Sequence, residues 1–130
     1  LAERWSDECS ARVAHLEATT GLLEAMIKEH PFTEMAYLTD VQGTLMTMAF
    51  SPAIPTERVT ASGVKAGIEF RERPWFQSAM REQRTILTPI YESMLTHEPT
   101  FTVATPVRDV KDRIAAVFAF DVNVRDWSKI

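Results

Sequence analysis

The sequence predicts a single α+β domain in which one long helix precedes an antiparallel sheet. Apolar residues recur every three or four positions through about the first 29 residues, which is the spacing of one helix face. The spacing then changes to two, which is typical of strands. Neighbouring strands follow one another without crossover helices, so we expect them to pair antiparallel. A chain of 130 residues is long enough for one such domain with its own core.

The N-terminal helix is predicted over about residues 3–29. Its apolar face consists of Trp5, Cys9, Val13, Leu16, Thr20, Leu23 and Ile27. Pro31 ends the helix, because a residue that precedes a proline is pushed out of the helical conformation. A face of this length can cover the sheet, pair with a second copy of the chain, or do both.

The elements after this helix are predicted from period-two patterns and from prolines. Five strands are expected, at about Met35–Asp40, Thr44–Phe50, Ile86–Tyr91, Thr100–Val107 and Ile114–Val122. Val41–Gly43 forms the turn between the first two strands, and a loop with a short helix follows the second. Pro74 begins another helix, since proline is favoured in the first turn. Pro89 cannot donate to a strand ladder, so its strand is expected at the edge of the sheet.

The last strand has the clearest alternation. Ile114, Ala116, Phe118 and Phe120 fall on one face, and Ala115, Val117, Ala119 and Asp121 fall on the other. The bulky face suits packing against the N-terminal helix. The other face is small and finishes in a carboxylate, which would give a ligand cavity both room and a charge. Asp121 is therefore either a ligand-binding group or the exposed end of a strand.

Composition and charge argue against several classes of function. The net charge is −4 and no run of basic residues occurs, which argues against nucleic acid as a partner. The single cysteine cannot form an internal disulfide and no Cys/His set has zinc spacing, so we expect neither a metal nor a cofactor. His15, His30 and His97 lack a nucleophile at catalytic spacing, so no enzyme activity is expected. No apolar run reaches the roughly 20 residues that cross a bilayer.

The segment Phe70–Phe76 gives the strongest indication of a ligand site. Arg71 and Arg73 stand beside Trp75, and Pro74 fixes the turn between them. A guanidinium binds a carboxylate through two parallel hydrogen bonds, and a neighbouring ring can cover the apolar part of a ligand. We therefore expect a small molecule with an anionic group to bind here.

Several segments together resemble the Cache sensor domains, which are PAS-like extracytoplasmic modules of bacterial chemoreceptors, histidine kinases and diguanylate cyclases. The segments are Tyr37–Gly43, Arg71–Phe76, Thr88–Ser93, and Pro106–Asp109 leading into Ala116–Val122. They occur in the family's order and span nearly the whole chain. The resemblance implies a PAS-like five-stranded antiparallel sheet. A long N-terminal helix would pack on one face, and ligand-pocket loops and short helices would cover the other.

The resemblance also implies how the chain is divided and where it works. The length suits the single-module form, with one Cache-like domain over residues 1–130. Residues 1–30 would form the long helix, 34–122 the sheet and pocket, and 123–130 an exit segment. The chain does not begin with methionine, and we expect it to be a piece of a longer protein. Membrane anchoring by segments outside this chain, on the periplasmic side of the bacterial inner membrane, follows from the same resemblance.

The family's ligand-binding positions transfer one at a time. Family members that bind amino acids or amines use an arginine and a tryptophan two residues apart, matched by Arg73 and Trp75. They add a tyrosine on the following strand, matched by Tyr91, and an aspartate on the last strand, matched by Asp121. Further candidates are Arg71, Tyr37, Thr102 and Thr105. We therefore expect a non-catalytic sensing domain whose terminal helices transmit a ligand-induced shift.

One departure from the family pattern bears on the identity of the ligand. The family has a tyrosine five residues before the arginine, and Ile68 occupies that position here. Two ligand classes therefore stay open, namely amino acids or amines, and short carboxylic acids. Asp121 discriminates between them, because a carboxylate accepts from an ammonium group but repels an acid that lacks one. A ligand-free dimerisation or interaction module, paired through the N-terminal helix, is the alternative function.

Overall fold

The computed structural model describes residues 2–3 and 16–129. The helices are α1 (Leu16–Glu29), α2 (Thr56–Ser62), α3 (Pro74–Glu82) and α4 (Val124–Trp127). The strands are β1 (Thr33–Thr39), β2 (Leu45–Phe50), β3 (Ile86–Leu87), β4 (Tyr91–Glu92), β5 (Pro99–Arg108) and β6 (Ile114–Asn123). Every pairing between these strands is antiparallel. The α+β prediction is confirmed.

The sheet has the order β2–β1–β6–β5–β3, and β4 pairs with the same edge of β5 as β3 does. Within the described residues the sheet therefore has six strands where five were predicted, because two short strands, β3 and β4, take the place of one. The prediction of one continuous strand over Ile86–Tyr91 is wrong, because the chain leaves the ladder around Pro89, which has no N–H to donate. The Thr102 N–H instead donates to Thr88 Oγ1 at 2.9 Å, so a side chain replaces a ladder carbonyl.

One face of the sheet is covered by α1 and forms an apolar core. Leu23 and Met26 are completely buried there, in one cluster with Phe118 and Phe120 of β6. The predicted face of the last strand is therefore confirmed. In the part of the helix that the structure describes, the apolar face is used against the sheet. Trp5, Cys9 and Val13 of the predicted stripe lie outside the described residues.

The opposite face of the sheet packs on α3. Val117 and Ala119 of β6 lie in this second core, which confirms the predicted small face. The helix begins at Pro74, as the sequence predicts, and buries Trp75 and Phe76 toward the sheet. It ends where Gln83 adopts a left-handed conformation with φ of 56°. Residues with small side chains in β6 thus leave room for large aromatic rings above them.

A glycine brings the first hairpin against the segment that precedes α3. Gly43 has φ of 87°, and a Cβ atom there would lie 2.6 Å from the backbone of Arg71. Only glycine tolerates both the conformation and this close approach. The Phe70 N–H donates to the Gly43 carbonyl at 2.7 Å, which fixes the start of the predicted ligand-binding segment.

The described chain finishes in the short helix α4. Asn123, the last residue of β6, caps this helix by accepting from the Asp126 N–H at 3.0 Å. Trp127 packs edge-to-face on Phe101, with ring centroids 5.9 Å apart. Within the described ranges, no helix has both the length and the apolar character needed to span a bilayer.

Candidate functional site

A cavity of about 140 Å³ lies between the sheet and the segments that carry α2, α3 and the loop after β4. It is lined by Met35, Tyr37, Ser62, Val64, Ile68, Phe70, Arg73, Trp75, Tyr91, Ser93, Met94, Leu95 and Asp121. Four of these lining residues are the predicted set Arg73, Trp75, Tyr91 and Asp121. The structure therefore brings together side chains that are up to 48 positions apart in the sequence.

Sheet register places the polar end of the cavity. Asp121 lies directly opposite Met35 on one neighbouring strand and opposite Thr102 on the other. Tyr37 is two residues beyond Met35, which makes it the diagonal neighbour of Asp121 and within reach of a long side chain. Tyr37, predicted as a further candidate, is thus close to the carboxylate because of register alone.

The Asp121 carboxylate is held through one oxygen. The Tyr37 hydroxyl donates to Oδ1 at 2.8 Å, and the Thr102 hydroxyl donates to the same atom at 2.8 Å. The Tyr91 hydroxyl lies 2.7 Å from Thr102 Oγ1 and extends the cluster. The hydrogen bonds from Tyr37 and Thr102 therefore leave Oδ2 unused. Asp121 lines the cavity, and part of its surface is accessible.

The electrostatics of this cluster follow from its burial. Burial raises the pKa of the Asp121 carboxyl to about 6, and the neighbouring Glu34 adds to the rise. Hydrogen bonding with Tyr37, Thr102 and Tyr91 opposes it. Burial, with the Asp121 charge, also raises the pKa of the Tyr37 and Tyr91 hydroxyls. Both phenols are therefore neutral at physiological pH, where Asp121 is mostly ionised.

Aromatic rings form the wall of the cavity. Tyr37, Phe70 and Trp75 contact one another edge-to-face, with ring centroids 5.3 to 5.9 Å apart. All three side chains are buried. Ile68 also lines the cavity, so the position where the family carries a tyrosine is apolar here. The wall is therefore rigid and apolar around a few polar groups.

Arg73 lies at the opening of the cavity, at the N-cap of α3. Its side chain is exposed, and its guanidinium carbon is 5.5 Å from the centroid of the Phe70 ring. In the part of the chain that the structure describes, no carboxylate forms an ion pair with Arg73. An exposed positive charge and a partly buried carboxylate thus line the same cavity.

Two of the further candidates lie away from the cavity. Arg71 is exposed and pairs with Glu69 at 3.2 Å, so the prediction that it binds the ligand is not supported by its position. Thr105 bonds to the Thr85 hydroxyl at 2.9 Å on the side of the sheet that faces α1. Because it is three residues from Thr102 along one strand, the two threonines must point to opposite faces. Of the two threonines, only Thr102 belongs to the site.

Sequence reasoning missed a second buried carboxylate beside the cavity. Glu34 is 4% exposed and accepts four side-chain hydrogen bonds. The donors are Ser93 at 2.7 Å, Thr96 at 2.8 Å, Thr100 at 3.2 Å and Asn123 at 2.8 Å. A signal was present, because Glu34 is the sole charged residue of the otherwise uncharged strand β1.

The site has no features of a metal centre. Among residues 2–3 and 16–129, no group of three or more histidine, cysteine, aspartate or glutamate side chains is arranged to hold a metal ion.

A larger cavity of about 450 Å³ shares Arg73, Trp75 and Tyr91 with the first one. Leu87 and Ile90, at its rim, are more than 60% exposed, so this second cavity opens on an apolar edge of the sheet.

Comparison with solved structures identifies the fold. The chain is similar to the ligand-binding domain of the Pseudomonas aeruginosa PAO1 amino acid chemoreceptor PctB in complex with L-Gln. The TM-score is 0.68 at 23% identity, over 98% of this chain and 47% of that one. It is also similar to the Pseudomonas fluorescens chemoreceptor CtaA domain with L-valine, with a TM-score of 0.69 at 19% identity, over 97% and 51% of the two chains. The chain thus spans about half the length of these domains.

The sequence was also compared with protein-family models and with curated proteins. No protein-family model matches the chain. Among curated proteins, it is 25% identical over 123 residues to citrate (Re)-synthase of Syntrophus aciditrophicus (strain SB), covering 95% of this chain and 19% of that protein. Because the match spans under a fifth of that protein, its activity does not transfer to this chain. The structural similarity is the informative one, and the chain has the fold of a Cache-type sensor domain, that of the ligand-binding domains of chemoreceptors.

Proposed function

We propose that this chain is the ligand-sensing domain of a bacterial transmembrane signalling protein, and that its ligand is a small amino acid. The observation that carries the proposal is that two opposite charges line one largely apolar cavity. Tyr37 and Thr102 both donate to Asp121 Oδ1 and leave Oδ2 outside these two hydrogen bonds, and the exposed Arg73 has no ion pair among the described residues.

The ammonium group of the ligand would bind Asp121. Tyr37 and Thr102 hold Oδ1 and thereby orient the carboxylate, so Oδ2 can accept from an ammonium without rearrangement. Such a charge-assisted hydrogen bond is stronger than a neutral one. Binding of a cation would also offset the burial that raises the pKa of this carboxyl.

The carboxylate of the ligand would bind Arg73. The guanidinium can donate two parallel hydrogen bonds, and the Trp75 indole beside it walls the opening. A short carboxylic acid without an amine would satisfy Arg73 but would face the Asp121 carboxylate. It would bind only with Asp121 protonated, and the pKa of about 6 makes that protonation costly at neutral pH. The geometry therefore favours an amino acid over a simple acid.

The size of the cavity supports a small ligand. An engineered apolar cavity of about 150 Å³ in another protein holds a molecule the size of benzene. The cavity of about 140 Å³ here is similar, and suits an amino acid with a short side chain. Ile68 and the three aromatic rings offer that side chain an apolar surface.

The place of the domain in a receptor is part of the same proposal. The domain would lie on the periplasmic side of the inner membrane, anchored by segments outside this chain. Ligand binding would shift a conformational equilibrium, limited by the difference in affinity between the two states. The helices at the two ends of the domain would carry the shift toward the membrane. The solved relatives of this fold are chemoreceptor domains in complex with amino acids, which supports the proposal.

A thermal-shift screen followed by titration calorimetry tests the proposal. The panel would contain the common amino acids, simple amines, and short carboxylic acids such as acetate and pyruvate. We expect one or more small amino acids to raise the melting temperature, and Arg73→Ala to abolish that shift. Arg71→Ala is the matched control, because it removes the same charge two residues away outside the cavity. An absence of any shift across the panel, or an equal effect of both variants, would contradict the proposal.

A further inference from the structure

The Glu34 carboxylate connects the ligand cavity to the end of the chain through a short series of hydrogen bonds. Its Oε1 accepts from the Ser93 hydroxyl at 2.7 Å, and Ser93 lines the cavity. Its Oε2 accepts from Asn123 Nδ2 at 2.8 Å. Asn123 in turn accepts from the Asp126 N–H at 3.0 Å and so caps α4. The series therefore runs from the cavity to the last described helix.

Ser93 fixes the shape of the loop that closes the cavity on its β4 side. Besides donating to Glu34, its hydroxyl accepts from the Leu95 N–H at 3.0 Å and the Thr96 N–H at 3.2 Å. Met94 and Leu95 of this loop line the cavity, and Met94 is 64% exposed. A ligand that draws the loop inward must therefore move the hydroxyl that Glu34 holds.

We infer that Glu34 is the positioning residue that couples closure of the Ser93–Thr96 loop over the ligand to the capping of α4 by Asn123. The inference rests on the proposed function, in which a ligand is the trigger. Glu34 supplies the coupling because its two oxygens join donors of different segments, namely Ser93 and Thr96 of the loop, Asn123 of β6 and Thr100 of β5. The Thr100 hydroxyl shares its proton with the Glu98 carbonyl, which lies 3.1 Å away.

The burial of Glu34 makes the coupling strong. A carboxylate that is 4% exposed cannot replace a lost donor with water, so a shift of one donor forces the others to readjust. The Asn123 amide joins Glu34 to α4, because its Nδ2 donates to Glu34 and its Oδ1 accepts from the Asp126 N–H. A shift of Glu34 therefore moves the group that caps α4. The Arg125–Glu98 ion pair at 2.8 Å and the bond from Asn123 to Glu98 join α4 to the same cluster.

Amide exchange of the ligand-free chain, followed by NMR, tests the coupling without reference to any ligand. In Ser93→Ala and in Glu34→Gln, we expect the Asp126 amide to exchange about tenfold faster than in the wild type. The Trp127 indole resonance, assigned with Trp127→Phe, should shift in the same two variants. Ser62→Ala is the control, because Ser62 lines the same cavity while its hydroxyl donates locally to the Val59 carbonyl.

The outcomes separate this inference from the proposed function. Unchanged exchange at Asp126 in folded Ser93→Ala, or an equal change in Ser62→Ala, overturns the coupling whether or not a ligand binds. If Glu34→Gln fails to fold, the exchange rate of the Asp126 amide in Ser93→Ala still tests the coupling. A second measurement adds L-alanine to the wild type and to Ser93→Ala. With both proteins saturated by L-alanine, a Trp127 shift in the wild type alone supports the coupling, whereas the same shift in both overturns it.

Discussion

A buried and a partly buried carboxylate of the sheet, Glu34 and Asp121, differ in how their oxygens are used. Glu34 accepts four side-chain hydrogen bonds, and both of its oxygens are occupied. Asp121 accepts from Tyr37 and Thr102, and both of these hydrogen bonds converge on Oδ1. A carboxylate has about four acceptor positions, so the first is saturated by the protein and the second is not. The comparison teaches that a carboxylate with both oxygens bonded to protein donors stabilises the fold. A carboxylate in a cavity with one oxygen outside these bonds can still accept from a ligand.

The largest expected effect is on stability. We predict that Glu34→Ala lowers the free energy of unfolding by about 4 kcal/mol, because it leaves several buried donors without an acceptor. Asp121→Asn should instead raise it at pH 7, by up to about 3 kcal/mol, because the amide keeps an oxygen for Tyr37 and Thr102 and removes the charge whose burial raises the pKa of the carboxyl. Chemical denaturation of both variants measures the difference. Similar losses in the two variants would erase the distinction between the carboxylates.

The pH dependence of stability should come from Asp121. Its pKa rises from an ordinary value of 3.8 to about 6 on folding, so between these values the folded state binds more protons than the unfolded state. Stability should therefore fall as pH rises from about 4 to about 6, by up to about 3 kcal/mol from this group. Denaturation curves at pH 4, 5, 6 and 7 check this slope. Asp121→Asn should flatten it, and an unchanged slope in that variant would point to another group.

Ligand affinity should depend on Asp121 far more than on its surroundings. We predict that Asp121→Asn weakens binding of an amino acid by roughly 10- to 100-fold, as expected for a lost hydrogen bond between charged groups. Titration calorimetry at pH 7 gives the ratio of dissociation constants. The Ser62→Ala variant, with a polar group removed elsewhere in the cavity wall, should bind within about twofold of the wild type.

The smallest effect concerns the two threonines of β5. Thr102→Val removes a donor to Asp121 Oδ1 and should weaken amino acid binding by about fivefold, through poorer orientation of the carboxylate. Thr105→Val, a matched change on the opposite face of the same strand, should leave the affinity unchanged. If Thr105→Val weakens binding as much as Thr102→Val does, the assignment of the cavity to one face of the sheet is wrong.

Much of the fold could be predicted because it depends on local periodicity. The alternation from Ile114 to Asp121 determines which side chains meet the helix and which meet the cavity, and both faces are as expected. The strand around Pro89 could not be placed as well, since its interruption depends on a side-chain contact between Thr88 and Thr102. That contact joins positions 14 apart and leaves no local pattern.

The site, like the fold, has a part that could be predicted and a part that depends on contacts between distant residues. Arg73, Trp75, Tyr91 and Asp121 were predicted by resemblance, and all four line one cavity. Glu34 was not predicted, because its donors are 59 to 89 positions away and no periodicity reports on such convergence. Thr105 shows the reverse error, since its odd spacing from Thr102 already placed it on the other face. Arg71 lies outside the cavity and pairs with Glu69, and neither fact can be read from a charged residue in a loop.

The central claim is that Asp121 binds the ammonium group of an amino acid, and proton exchange on binding tests it most directly. Calorimetric titration of the best ligand at pH 6, in two buffers with different ionisation enthalpies, gives the number of protons exchanged. With a pKa of about 6, the unliganded carboxyl is about half protonated there, and a bound ammonium would ionise it. The account predicts release of about half a proton, lost in Asp121→Asn. Proton uptake would contradict it, because uptake is the result expected for an acid that lacks an amine.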